Sequence, residues 1–189
     1  MYDSIDDHYC YAGTTVLKNR RDLRKQEALD RFELAISTQR ATEPLPLGKL
    51  NEFHYKRIHW HFFRDVYAWS GECRDVPISK GDSPFCFPEY IPGEMKKLFT
   101  GLWRDNNLTG LTAEQFAPKA ASFLADLNSI HAFRDGNGRS QMAFMNLLAI
   151  RAGHPLRLSK IVAKDFLVAM IRAHQGDERW LVEQLNRLI

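Results

Sequence analysis

The stretch Ile130-His131-Ala132-Phe133-Arg134-Asp135-Gly136-Asn137-Gly138-Arg139-Ser140-Gln141-Met142 decides how the rest of the chain is read. It gathers an imidazole, a carboxylate, two glycines, an amide and guanidinium groups, with apolar, helix-like sequence at residues 123–130 and 143–150 on either side. A loop of this kind between two helices makes a phosphate cradle. Glycines at 136 and 138 permit positive φ and let backbone N–H groups approach an anion closely. A helix beginning near Asn137 or Gly138 adds the partial positive charge of its N-terminus. Arg139 offers a planar fork to phosphate oxygens. Asp135 is a hard oxygen ligand suited to Mg²⁺, which binds through one carboxylate, waters and substrate phosphates. His131, four residues earlier, can take a proton from an attacking hydroxyl near neutral pH. The plainer reading is a Gly-Asn-Gly turn between two core helices, with His131 capping the first.

These residues resemble the signature of the Fic family, H-x-F-x-[DE]-G-N-G-R. His131, Phe133, Asp135, Gly136, Asn137, Gly138 and Arg139 match it in full, and their joint spacing favours chemistry over the plain turn. The resemblance implies an all-α Fic fold, a helical bundle with a short β-hairpin flap. It also implies a Mg²⁺-dependent protein adenylyltransferase, moving AMP from ATP to a hydroxyl side chain of a target protein. By motif position His131 is the general base, Phe133 anchors the loop in the core and Asp135 holds Mg²⁺. Asn137 and the amides of Gly136 and Gly138 bind phosphate, Arg139 reaches the terminal phosphates, and Arg134 completes the nucleotide-binding loop.

Two positions depart from the common pattern. Ala132 stands where Pro is usual, and Met142 where many members carry a second Arg that orients the triphosphate tail. A thioether cannot pair with phosphate, and Met142 equally suits packing beneath the loop. A Lys in place of the second glycine marks a phosphotransfer branch of the family, so Gly138 argues for nucleotidyl transfer. The family's self-silencing S/T-x-x-x-E-G/N motif is absent, which points to a separate small antitoxin or to no Glu-type inhibition. Two further readings stay open: a catalytically weakened module that binds proteins through its flap, and Fic-type transfer of a different phosphate-containing group.

With 189 residues, 44% of them hydrophobic, the chain has enough for one well-buried core and is expected to form a single domain over 1–189. A formal net charge of +3 with no basic stripe argues against direct nucleic-acid binding. There is neither an apolar run long enough to span a membrane nor a secretory signal. Cys10, Cys73 and Cys86 have no metal-ligand spacing and fit free thiols in a reducing, cytoplasmic compartment of a bacterium. Delivery into a host cell, as part of a longer effector, is compatible with the same features.

The N-terminal segment with the first helix occupies residues 1–46. Tyr9 to Asn19 resembles the Y-x-Y/P-G-T-x-V-L-x-N opening of bacterial Fic toxins, so the likeness extends over nearly the whole chain. Periodicity predicts helices over residues 22–39 and 47–69, the latter with Leu50, Phe53, Ile58, Phe62, Val66 and Trp69 inward. His54, His59 and His61 on that helix read as surface or packing histidines, since no carboxylate or Cys completes a metal site. Residues 74–91 change character. Val76-Pro77-Ile78-Ser79 and Phe85-Cys86-Phe87 are strand-like around the turn Lys80-Gly81-Asp82-Ser83-Pro84. By resemblance this is the flap over the nucleotide site, with Lys80 and Gly81 nearest the substrates. Ile78, Ser79, Lys80 and Gly81 would receive a target segment as an added strand.

A helix over 92–104 precedes the loop Asp105-Asn106-Asn107-Leu108-Thr109-Gly110. Similar loops in Fic relatives lie close to the nucleotide, which adds Asn106 and Asn107 to the candidate site. Thr112-Ala113-Glu114-Gln115 has capping-box form and opens a helix reaching about His131, although Pro118 suggests a start near 117 or a kink. The active-site loop and helix start occupy 131–142. Helices over 138–151, 159–174 and 177–188 complete the chain, with Trp180, Leu181 and Leu185 as the docking face of the last.

Overall fold

The computed structural model describes residues 7–81 and 83–189. Within them lie α1 Gln26–Ala41, α2 Glu52–Phe63, β1 Ser79–Lys80, β2 Ser83–Pro84, α3 Ile91–Arg104, α4 Ala113–Ile130, α5 Asn137–Ala152, α6 Ala163–His174 and α7 Arg179–Leu188. The expected helical bundle with a short antiparallel hairpin is what forms. None of the described helices is long and apolar enough to cross a membrane.

α4 packs against α3, α5, α6 and α7, and α5 also against α2, so these two helices form the centre. Phe133, between them in sequence, is fully buried, with its ring 3.8 Å from that of His59 and 5.1 Å from that of Tyr55. Phe144 on α5 continues the aromatic core towards Phe99 and Phe123. The loop joining α4 to α5 is thereby nailed to the core by its own aromatic residue.

α4 opens with the expected capping box: the Thr112 N–H donates to Gln115 Oε1 at 3.1 Å, and the reciprocal bond is present. It starts at Ala113 and runs through Pro118, so the later start suggested by that proline does not occur. Pro118 removes one i→i−4 donor near the helix start, a loss that the packing of the roughly three turns after it outweighs. α2 is shorter than periodicity suggests. Asn51 caps it by accepting from the His54 N–H at 2.9 Å. Beyond Phe63 the chain turns, and Val66 gives its carbonyl to the Arg20 N–H at 2.8 Å. Phe53, expected inside, is 68% exposed, while Tyr55, His54, His59 and His61 are buried instead.

The hairpin also differs from expectation. Its ladder pairs Ser79 with Pro84 and Lys80 with Ser83, nearer the tip than the strand-like runs at 76–79 and 85–87. Asp82 of the predicted turn lies outside the described residues. Val76 and Cys86 cannot extend the ladder because both carbonyls accept from Arg74, and the Cys86 N–H donates to Ser129 O at 3.0 Å. Val76, Ile78 and Phe85 are buried as anchors. Near the N-terminus, Cys10 and Leu17 form an isolated antiparallel bridge around a turn with Gly13 at φ 73°. All three cysteines are free thiols.

Candidate active site

α4 ends at Ile130, and His131 follows as its C-cap in the left-handed region, φ 47°, with its N–H donating to Leu127 O at 3.2 Å. His131 is therefore a cap, as the plainer reading had it, and also a presented imidazole. The residue is 5% exposed, and its ring stacks on Phe85 of the flap at 3.8 Å. Nδ1 lies 2.9 Å from Asn128 O and must carry a proton to bond there, so the neutral ring keeps its lone pair on Nε2. Burial first, then the positive charges of Arg74 and Lys80, pull the imidazole down from 6.5 to about 3. It is neutral at physiological pH, the state a proton acceptor needs.

The loop is closed by Asn137. Its side-chain N–H donates to Phe133 O at 2.8 Å, and its Oδ1 accepts from the Phe133 N–H at 3.0 Å. That side chain is 1% exposed and builds the cradle, leaving the backbone amide as its contribution to an anion. Gly136 has φ 77°, and a Cβ there would lie 2.3 Å from the Phe63 ring, so only glycine fits. Gly138 differs from expectation: it lies in the first turn of α5 without positive φ, and a Cβ there would meet nothing within 4 Å. Its bareness leaves room above the helix start. No side chain caps α5 and its first turn carries no acid, so its leading N–H groups are suited to an anion.

Asp135 is half-buried, and its carboxyl is raised above the usual range first by desolvation and then by the nearby charge of Glu33, against the lowering effect of the Gly136 N–H, Arg139 and Arg134. Oδ1 accepts from the Gly136 N–H at 2.5 Å. A half-buried carboxylate with a second acid, Glu33, close by suits a divalent cation. Among the described residues no group of three His, Cys, Asp or Glu could hold one alone, so phosphate and water would complete its shell.

Other predicted residues are placed less simply. The Arg139 guanidinium turns to α1, where it pairs with Glu33, donates to Ser37 Oγ at 3.0 Å and lies 4.5 Å over the Phe63 ring. Tyr67 donates its hydroxyl to the same Glu33. Arg134 is buried and donates to Asp7 at 2.7 Å, and Phe133 is wholly in the core; neither side chain faces an open site. Lys80 and Gly81 are exposed at the hairpin tip, Ser79 is half-buried, and Ile78 is 3% exposed and turned inward. Asn106 and Asn107 are not brought to the loop. They precede α4, next to Asp105, which pairs with Lys119 in the early turns of that helix. The loop lies at its far end, and an 18-residue helix spans about 27 Å. Met142 is half-buried against the core.

Two residues that sequence reasoning passed over hold the loop. His59, fully buried on α2, accepts from the Gly71 N–H at Nδ1, 2.8 Å, which leaves Nε2–H to donate to Asp135 O at 3.0 Å. Its position on the inner face of α2, beside Ile58 and Phe62, was the available sign. Arg74 is 2% exposed and donates to backbone carbonyls at both ends of the flap and at the end of α4. A charged residue just before a strand gave no sign of that in the sequence.

Comparison with known proteins adds to this geometry. The family model described as the Fic/DOC family matches residues 49–149. A probable protein adenylyltransferase, y4lH, of Sinorhizobium fredii is 44% identical over 189 residues, covering 100% of this chain and 98% of the relative. The probable protein adenylyltransferase Fic of Escherichia coli is 34% identical over 173 residues, covering 90% of this chain and 86% of the relative. Among solved structures, the BepC effector of Bartonella tribocorum with bound AMPPNP superposes with a TM-score of 0.84 at 30% identity, covering 95% of each chain. The Fic domain of a putative cell filamentation protein of Bartonella quintana, with bound ADP, gives 0.85 at 29%, covering 95% of this chain and 93% of that one. The chain belongs to the Fic/DOC family.

Proposed function

We propose that this protein transfers AMP from ATP to a hydroxyl side chain of a target protein. One juxtaposition carries the reading. A neutral imidazole with its proton anchored at Nδ1, a half-buried carboxylate and an uncapped helix start with open space at Gly138 share one loop. Relatives named protein adenylyltransferases, and neighbours with AMPPNP or ADP bound, support it.

The nucleotide's phosphates lie on the N–H groups that open α5, where Gly138 allows close approach. Asp135 would hold Mg²⁺ against them, and that ion would neutralise phosphate charge when bound. The target segment adds to the edge of the hairpin, with Ser79, Lys80 and Gly81 alongside it. Its hydroxyl gives up a proton to Nε2 of His131 as the oxygen forms a bond to the α-phosphorus. The bond from that phosphorus to the bridging oxygen of the β-phosphate breaks, and pyrophosphate leaves. His131 is held a weak base chiefly by burial and then by the charges of Arg74 and Lys80, and the arrival of anionic phosphates beside it raises its proton affinity. A small antitoxin is the partner we assign to inhibition, since the chain lacks the family's inhibitory motif.

The test is incubation of the protein with Mg²⁺ and ATP in a cell lysate. Label from α-³²P-ATP, but not from γ-³²P-ATP, should enter protein. His131→Ala should lower incorporation by about 10²–10⁴-fold while the protein stays folded. Label from the γ-position would instead indicate phosphotransfer. A second reading, a weakened module that only binds proteins, rests on Met142 and on the capture of Arg139 by Glu33. It predicts no incorporation from either isotope.

A further inference from the structure

Arg74 opens the flap segment, five residues before β1, with its side chain buried. Nε–H donates to His131 O at 2.8 Å, Nη1–H to Val76 O at 2.7 Å, and Nη2–H to Cys86 O at 2.6 Å and Ile130 O at 3.3 Å. Its backbone N–H donates to Ala132 O at 2.9 Å. Burial lowers the guanidinium to about 10, so it remains charged at neutral pH. The carbonyls of Ile130 and His131 belong to the open C-terminal end of α4, where a cation is favoured. Val76 and Cys86 stand at the two feet of the hairpin, and Phe85, beside one foot, stacks on the His131 ring. One planar group thus joins the backbone of the base to both ends of the flap. None of its bonds reaches residues 135–139, which form the phosphate cradle.

We infer that Arg74 is a positioning residue that sets the flap at a fixed distance from His131, so that a hydroxyl carried on the flap meets the base. The inference rests on the transfer reading above. It separates two requirements that a single loop would otherwise confound: the cradle holds the nucleotide, and Arg74 aligns the acceptor. Lysine keeps the charge but has one nitrogen, and cannot present donors to four carbonyls in one plane.

The experiment compares the full chain with R74K and R74Q. At saturating ATP the rate of α-³²P incorporation should fall by about 10²-fold, the scale of a misplacement of about an ångström. The ATP concentration for half-maximal rate should stay within about twofold. Amide hydrogen exchange should speed up at Phe85, Cys86 and His131 while α7 keeps its wild-type protection. A folded R74K with unchanged incorporation and exchange overturns the inference. So does a variant that loses nucleotide affinity and exchange protection uniformly, which would make Arg74 general packing. If neither variant folds, the wild-type protein decides by ¹⁵N NMR: an Arg74 Nε–H exchanging as fast as in free arginine overturns the clamp, and a protected one supports it. The exchange measurements need no activity. If the wild type transfers no AMP, the transfer reading falls while the tie between flap and loop is still judged.

Discussion

The two glycines of the loop have different jobs, and substitution should separate them. Gly136 has a left-handed backbone and the Phe63 ring in the place of a side chain. Gly136→Ala adds the left-handed penalty to a clash, together about 2–4 kcal/mol, and should lower the midpoint of urea unfolding accordingly. Gly138 is helical with open space beyond it. Gly138→Ala should leave stability unchanged or raise it by up to about 1 kcal/mol, while a methyl placed where phosphate approaches weakens ATP binding. Unchanged ATP affinity in Gly138→Ala would show that the space there has no role in binding, and equal losses of stability in both variants would show that the two glycines do the same job. Calorimetric titration with Mg²⁺–ATP, beside the urea curves, measures both quantities.

At the level of the helix, α5 begins the cradle with no side-chain cap, and one turn further in it carries the uncharged thioether of Met142. Arg139, the cation in its first turn, is drawn towards α1 by Glu33 and Ser37. Met142→Arg should therefore supply a charge-assisted contact worth about 1.5–3 kcal/mol, or ten- to a hundredfold in ATP affinity. ADP, lacking the γ-phosphate, should gain much less. Met142 is half-buried and touches the core, so a thermal melt must accompany the titration. A stable variant that binds ATP no better than wild type would show that the backbone amides already suffice.

For the molecule as a whole, the N-terminal segment and the buried histidines set the conditions under which the loop stays in place. Asp7 and Arg134 pair with side chains only 8% and 4% exposed. Asp7→Asn leaves a buried guanidinium short of its counter-charge, and should cost about 3–5 kcal/mol, little affected by salt. A loss below about 1 kcal/mol would mean that the segment is not a clamp. His59 and His131 are both held near 3, well below 6.5, chiefly by burial. The unfolded chain then binds protons at both between pH 6.5 and 3 while the folded chain does not. Their stabilising contribution is complete above 6.5 and is lost as pH falls towards 3, by about 1.4 kcal/mol per pH unit for each ring. Asp135, raised by burial, works in the opposite direction and reduces the net slope. Urea midpoints from pH 7 to pH 4 should therefore fall, and His59→Gln should flatten that fall.

The local chemistry of the chain determined a good deal by itself. The spacing from His131 to Arg139, the capping box at Thr112 and the apolar periodicity of the last helix are contained within a few turns of chain, and their pattern suffices to read a helix–loop–helix cradle in an all-α fold. Proximity across the chain is a different matter, because it depends on where distant segments fold back. Nothing near Arg74 in sequence tells that four carbonyls converge on it, nor does anything near His59 tell that it bonds to Asp135, 76 residues away. The same holds for Glu33, which draws Arg139 away from the role its motif position implies. Asn106 and Asn107 show the converse, since a loop with the right residue types ends up at the wrong end of α4. Backbone hydrogen bonds explain the remaining differences: the feet of the hairpin bond to Arg74 and Ser129 instead of to each other, and the chain beyond Phe63 bonds to Arg20 instead of extending α2. Those partners exist only once the bundle has closed, so the length of the flap and the hold on the loop are decided by tertiary structure.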